Sequence, residues 1–283
     1  MRLKDYFKGK IDEDLLKYIP SSYDIIGSRQ KAVAIVEIPP EIEHLKYEIA
    51  DAIVKINKHI RTVLRKKSGR KGIYRTREYE LLLGDPNTEV YHKEYGYIIK
   101  VDPTKAYFSP RESTERMRIA SQVSPGEVVM YMFAGVGPFG IAIAKKQPLV
   151  KRIIAIEINP DAFKYLVENI KINKLEKVME AYLGDVRELC PRWYGSCDRV
   201  LMPLPKGAHT FLDVALQCLK DSGGIIHFYH WSHENSLYSD AEKIIDEWCR
   251  KMGYDYKILS RRIVLPYAPR IYKICIDFFA KRN

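Results

Sequence analysis

Apolar and polar positions follow two different styles along this chain, and the change comes near residue 112. Beyond it, apolar runs of strand length alternate with stretches whose apolar residues recur three and four apart, the helical period. The pattern predicts a helix over 114–121, strand 128–133, helix 138–146, strand 152–158, helix 161–174 and strand 179–183. It continues with strand 199–202, helix 208–219, strand 224–229 and helix 239–252. Asn159-Pro160 is a fitting cap and first-turn pair for the helix that follows it. Two closing runs, 261–266 and 272–279, have no helix between them and read as an antiparallel pair. Strands alternating with helices imply a doubly wound α/β fold with a mostly parallel sheet, its ligand at the carboxyl ends of the strands.

The first 105 residues lack this rhythm. They predict a short helix over 12–18, a strand over 32–38, an amphipathic helix over 41–58, and strand-like runs at 62–65, 78–83 and 95–101. We read a small α+β domain over 1–105 and the α/β domain over 106–283.

The chemistry of the larger domain starts at its first strand. Tyr131-Met-Phe-Ala-Gly135-Val-Gly137-Pro-Phe-Gly140 is a Gly-x-Gly-x-x-Gly turn between strand and helix. Glu157 ends the next strand, about twenty residues further on. Glycines let a backbone approach a ligand, and such an acid accepts hydrogen bonds from ribose hydroxyls, so the layout predicts a nucleoside cofactor. The third strand ends in Gly184-Asp185-Val186, where a carboxylate is placed to accept an adenine amino group. No hydride-transfer machinery is legible, which favours S-adenosylmethionine over a dinucleotide. The fourth strand ends in Met202-Pro203-Leu204-Pro205, a stiff edge where amino-methylating enzymes often carry an Asn. Segment Tyr107-Phe-Ser-Pro-Arg111-Glu112-Ser-Thr-Glu115-Arg116-Met-Arg118 is readable as a helix start, or as a carboxylate and guanidinium aimed at a base.

Charge sharpens the picture of the partner. The net charge is +11, and no acid interrupts the stretch from Lys58 to Arg77, which holds Arg65, Lys66, Lys67, Arg70, Lys71 and Arg75. Such a block points to a nucleic-acid contact, since neutralised phosphates release counterions. The five cysteines form no Cys-x-x-Cys pair, and the histidines show no metal-ligand spacing, so reduced thiols and no metal are expected. No apolar run of about twenty residues and no signal peptide is present, so a cytoplasmic protein without membrane contact is expected.

Taken together, these residues resemble the archaeal and eukaryotic type of tRNA guanine-37 N1-methyltransferase. The resemblance runs from Ile19-Pro-Ser-Ser-Tyr-Asp-Ile-Ile-Gly27 through Tyr107–Arg116, Met132–Phe139, Glu157-Ile-Asn-Pro160 and Asp185-Val-Arg-Glu188 to Tyr267-Ala-Pro-Arg270. It implies a class I methyltransferase domain, S-adenosylmethionine as donor, and the anticodon arm of a tRNA, with tRNA-Phe the expected one, as partner of a monomer. By this resemblance Glu115 is the general base, Arg75 steadies charge on O6, and Pro203 stands in the substrate-facing strand end. Tyr107, Phe133, Gly135, Gly137, Glu157, Asp185 and Val186 form the cofactor set, and Arg111 joins the RNA-binding cations.

Two departures qualify it. Relatives usually carry an additional amino-terminal domain that touches the outer corner of the tRNA, and this chain is expected to begin after it. The usual Asn-Leu-Pro is Pro203-Leu-Pro205 here, which resembles an archaeal subgroup that methylates C7 of the wyosine intermediate imG2. The expected function is therefore methylation at position 37, on guanosine N1, on the tricycle, or on both. The alternatives are an aminocarboxypropyl transferase of wyosine synthesis and a catalytically silent RNA-binding protein.

Overall fold

The computed structural model describes residues 2–69, 72–74 and 76–283. It divides into two compact units, Met1–Arg111 and Glu112–Asn283.

The amino-terminal unit opens with two short helices, α1 (Leu3–Phe7) and α2 (Glu13–Leu16). Strands β1 (Asp24–Gly27) and β2 (Ala32–Val36) follow, then helix α3 (Lys46–Ile56) and strands β3 (Ile60–Lys66) and β4 (Tyr79–Gly84). These four strands form one sheet in chain order, with β2 and β3 parallel and the other pairs antiparallel. The parallel pair needs a crossover, which α3 supplies. Ile49, Ala50, Ala52 and Ile53 of α3 pack onto Ala32, Ala34, Val36 and Val63 of the sheet. A hairpin of β5 (Val90–Glu94) and β6 (Tyr97–Val101) turns through Tyr95 and Gly96, both with positive φ. The single helix expected over 41–58 is a 3-10 stretch, Pro40–Leu45, ahead of α3. Ile42, with φ −122, breaks the helical path within that stretch.

The second unit runs α4 (Ser113–Ala120), β7 (Val128–Tyr131), α5 (Pro138–Lys146), β8 (Arg152–Glu157), α6 (Pro160–Ile172) and β9 (Met179–Leu183). It continues with α7 (Val186–Leu189), β10 (Arg199–Met202), α8 (Leu212–Cys218), β11 (Gly224–His233), α9 (Ser239–Met252), β12 (Tyr254–Ala268) and β13 (Ile271–Arg282). The seven-stranded sheet has the order β12-β13-β11-β10-β7-β8-β9. Strands β7 to β11 pair in parallel, and β13 is antiparallel to both β11 and β12. The chain reverses its direction of travel across the sheet between β7 and β10, which opens a crevice at their carboxyl ends.

Three of these strands exceed their predicted lengths for one reason. Strands β11, β12 and β13 pair in long antiparallel ladders that reach past the parallel sheet, His233 pairing with Ile271 and Ala268 with Ile271. Strand β12 lies at the edge, so its apolar face is diluted by solvent-facing residues.

The turn after β7 is held by both backbone and packing. Gly137 caps α5 at φ +89, a left-handed conformation that costs a non-glycine roughly 1–2 kcal/mol. A Cβ there would stand 2.6 Å from Leu166 Cδ1 on α6. Gly140 lets α5 close on β9, since its Cβ would lie 2.5 Å from Met179 Cε. Gly137→Ala therefore adds overpacking to backbone strain and is expected to destabilise the protein by about 2–4 kcal/mol. A urea titration checks this as a lower midpoint at unchanged slope.

Candidate functional site

The crevice gathers the ends of five parallel strands. At the end of β7, Phe133 adopts φ +55, a conformation that a bulky residue holds only where its surroundings impose it. Met132 N donates to Leu201 O at 3.0 Å and Ala134 N to Ile156 O at 2.9 Å, so both neighbouring strands pin the backbone around it. The Phe133 ring meets Phe211 edge-on at 5.1 Å. The Tyr131 hydroxyl donates to Ala134 O at 2.9 Å and Asn169 Nδ2 to Val136 O at 3.0 Å, completing the buttress.

Glu157, at the end of β8, is buried and turned back into this turn. Its Oε2 accepts from Gly135 N at 2.6 Å and its Oε1 from Asn159 N at 2.7 Å. Burial pushes its carboxyl above the usual range, and the backbone donors only partly offset that. A carboxylate offers about four lone-pair sites, so these two bonds still leave acceptor capacity on Glu157 for ribose hydroxyls. Asp185 caps α7, its Oδ1 accepting from Arg187 N at 2.8 Å. Val186 is buried in the main core, so its side chain packs the protein and only its backbone can face a ligand. Arg187 pairs with Asp213 at 2.8 Å and lies 5.0 Å from the Phe211 ring, closing that rim.

At the end of β10, Leu204 N donates to Met202 O at 2.8 Å, a three-residue turn centred on Pro203. The locked φ of proline suits that centre. Pro203 is half-buried and Pro205 buried.

Glu115 lies on α4 in a buried ionic cluster. Arg118 Nη2 and the Tyr229 hydroxyl each donate to its Oε1 at 2.7 Å. Arg118 Nε reaches Oε2 at 2.8 Å, and Arg262 Nε stands 3.3 Å from the same oxygen. The Arg118 fork also grips Asp277, which accepts from His227 Nδ1 at 2.7 Å. His227 Nε2 meets Arg199 Nη1 at 2.8 Å, and Arg199 clamps Glu127 with two bonds of 2.7 and 2.9 Å. A guanidinium can only donate, so His227 Nε2 accepts and the proton sits on Nδ1 of a neutral ring. Burial depresses His227 accordingly. For Asp277, burial opposes ionisation, but the His227 and Arg118 bonds outweigh it and hold its carboxyl far below the usual range. His227, Cys275 and Asp277 bring three potential metal-ligand atoms together. Arg118 already pairs with Asp277 and Arg199 already occupies His227 Nε2, which opposes a cation there.

Tyr229 ties this cluster to the glycine turn. Its ring meets Phe139 of α5 at 6.0 Å, and Phe139 meets Tyr131 at 6.2 Å. The sequence reading did not single out Arg118, Tyr229, Arg262 or Asp277. The available signals were Arg118 three positions after Glu115, and a lone acid inside the apolar run Ile274-Cys-Ile-Asp277-Phe-Phe279.

The remaining expected residues fall in the amino-terminal unit. Arg65 is engaged by Glu43 and Glu80, so it stabilises β3 rather than standing free for RNA. Lys66 is partly buried 3.6 Å from Glu37, and burial lowers its ammonium. Lys67 is exposed, and Arg111 pairs with Asp24 at 2.5 Å. Tyr107 lines a small cavity with Thr76, Arg77 and Tyr79. Arg70, Lys71 and Arg75 lie outside the described residues. Among the described residues no helix is long and apolar enough to cross a membrane.

Comparisons with known proteins identify the relatives of this chain. A model of the TRM5/TYW2 methyltransferase domain matches residues 90–259, and a model of the TYW2 N-terminal domain matches residues 3–88. The chain is 45% identical, over 95% of its length and 77% of the relative, to tRNA (guanine(37)-N(1))-methyltransferase Trm5b of Pyrococcus abyssi. It is 34% identical, over 98% of its length and 95% of the relative, to tRNA(Phe) (4-demethylwyosine(37)-C(7)) aminocarboxypropyltransferase of Pyrococcus horikoshii. A Nanoarchaeum equitans relative, 30% identical over 88% of this chain and 98% of its own length, is named tRNA (guanine(37)-N(1))/4-demethylwyosine(37)-methyltransferase Taw22. Among solved structures, a complex of aTrm5 with tRNALeu superposes with a TM-score of 0.86 at 39% identity, covering 100% of this chain and 78% of that one. Pyrococcus horikoshii TYW2 in complex with MeSAdo superposes with a TM-score of 0.81 at 32% identity, covering 99% and 98%.

The ionic cluster predicts how stability depends on pH. Asp277 is depressed in the folded state, so its contribution is complete above its unfolded value of about 4 and is lost as pH falls below it. His227 is depressed as well, so below about 6.5 the unfolded chain takes up a proton that the folded chain refuses, and stability falls there too. Asp277→Asn is expected to cost about 3 kcal/mol at pH 7, with the gap to the unaltered protein closing below about pH 4. Denaturant unfolding at pH 7, 5 and 3.5 measures both.

Proposed function

This chain belongs to the TRM5/TYW2 methyltransferase family, and we propose that it methylates the nucleoside at position 37 of tRNA, on guanosine N1 and on C7 of the tricycle made from it. It is a transferase that uses S-adenosylmethionine and modifies tRNA at position 37. The relatives' names give the tricyclic acceptor as 4-demethylwyosine. The observation that carries the donor is the left-handed turn at Gly137 with Glu157 hydrogen-bonded to Gly135. Backbone there can approach an adenosine closely, and the acceptor capacity left on Glu157 suits a ribose. Asp185 and Phe133 complete the walls.

S-adenosylmethionine brings an electrophilic carbon on a sulfonium. The residues of the chain must then present the acceptor and dispose of its proton. Guanine N1 carries a proton that leaves as the new N–C bond forms, so a carboxylate base and stabilisation of the developing charge on O6 are both needed. Glu115 is the carboxylate we assign as base, and Arg75 the guanidinium we assign to O6. Pro203 replaces an amide with a stiff apolar edge, which suits a larger, less polar tricycle. The cationic segment with exposed Lys67 is assigned to the anticodon arm, whose target base must leave its stack to be reached.

A second reading has its own support. The amino-terminal match and the near-complete mutual coverage point to the aminocarboxypropyl transferases, in which a different carbon of the same donor is transferred. The 45% identity to a methyltransferase and the dual methyltransferase relative favour methyl transfer.

The test offers tRNA bearing G37 or 4-demethylwyosine at that position and identifies the product nucleoside by mass. The expected products are 1-methylguanosine and the C7-methylated tricycle, and finding no product on either tRNA ends the proposal. Glu115→Gln is expected to lower the single-turnover transfer rate on G37 by roughly 10²–10⁴-fold at unchanged donor affinity. Pro203→Asn is expected to shift the product ratio toward G37. An unchanged ratio removes Pro203 from the choice of acceptor.

A further inference from the structure

Glu115 is closely held in the arrangement found here. Two bonds from Arg118 and one from Tyr229 take three of the roughly four lone-pair positions on its oxygens, and the Arg262 guanidinium forms an ion pair with Oε2 at 3.3 Å. A base in this position gains access to its target when one of these partners leaves.

The three donors differ in how freely they can leave. Tyr229 is fully buried on β11, and Arg118 is held a second time by Asp277. Arg262 lies on the edge strand β12 with its side chain 44% exposed, and among the described residues Glu115 is its one ion-pair partner. The other titratable groups around Glu115 stay in place. Asp277 and Cys275 of β13 are buried, and Lys273 of the same strand lies 4.9 Å from the Tyr229 ring and pairs with buried Glu112.

The hairpin beyond Arg262 has the composition that binds a single-stranded nucleic acid. Tyr267, 57% exposed, lies against Trp231 at 4.1 Å between ring centroids, and Arg270 projects at the turn with 70% of its side chain exposed. Stacked aromatics flanked by guanidiniums hold bases and phosphates together.

We propose that Arg262 is handed over during substrate binding. In the free protein it neutralises Glu115, and in the complex it pairs with a phosphate of the RNA strand lying along the β12–β13 hairpin. The transfer removes the guanidinium from beside Oε2 and opens Glu115 to the target base, so the base becomes competent only when RNA is in place. Arg262 is then a positioning residue that acts through Glu115, and this role rests on the reading of Glu115 as the base.

A handover makes Glu115 and the RNA competitors for one guanidinium, which a binding cycle detects without catalysis. Affinity for a G37 tRNA transcript is measured with the full chain at several salt concentrations. Glu115→Gln is expected to bind roughly two- to fivefold more tightly, the scale of a released, partly exposed ion pair. Arg262→Ala is expected to bind more weakly, with a log–log salt slope shallower by about 0.7–0.9. Arg262→Lys should recover most of the lost affinity, which a simple loss of folding would not allow. In the double variant the gain from Glu115→Gln should vanish. No gain in the single variant, the same gain with Arg262 absent, or Arg262→Ala binding as the unaltered protein does would each overturn the proposal. If the cycle behaves as expected while Glu115→Gln keeps its transfer rate, the competition stands and the assignment of the base fails.

Discussion

A carboxylate buried without a partner is among the most costly things a fold can contain. On the α4 side of its sheet this domain buries Glu112, Glu115 and Asp277, and pairs the first with Lys273 and the other two with the shared fork of Arg118. The pairs join α4 to β13 and, through Tyr229, to β11. They therefore fix the helix that precedes the sheet against the strands that close it. The positions of both Glu115 and the glycine turn follow from this constraint. Arg118 holds Glu115, Tyr229 links Glu115 to Phe139, and Phe139 packs on the tyrosine whose hydroxyl braces the turn.

The same cluster both orients Glu115 and surrounds it in the free protein. Two bonds from Arg118 and one from Tyr229 fix the orientation of the carboxylate. The ion pair with Arg262 is the contact we propose RNA releases. Exposure separates the contact that can be lost from those that cannot.

Much of this was legible in the sequence, and the reason differs by part. The parallel core and its glycine turn depend on local signals: apolar runs of strand length, a glycine at a left-handed position, an Asn-Pro cap. The sequence pattern placed β9, β10, α5 and α9 at their observed bounds for that reason. The ladders of β12 and β13 ran longer because their length is set by partners across the sheet. Glu115 was singled out through a motif, yet its partners Tyr229 and Arg262 lie 114 and 147 positions away. No spacing rule connects such residues. Arg65 shows the converse failure, since a cation in a basic run reads as free until Glu43 and Glu80 are seen to hold it.

The central claim is that the chain transfers a methyl group, rather than the aminocarboxypropyl group, to the nucleoside at position 37. Two preparations of S-adenosylmethionine, one labelled in the methyl carbon and one in the aminocarboxypropyl chain, separate these directly on a single tRNA. The account predicts that label from the methyl carbon alone appears in the position-37 nucleoside. Label from the aminocarboxypropyl chain in that nucleoside, or from neither preparation, would contradict it.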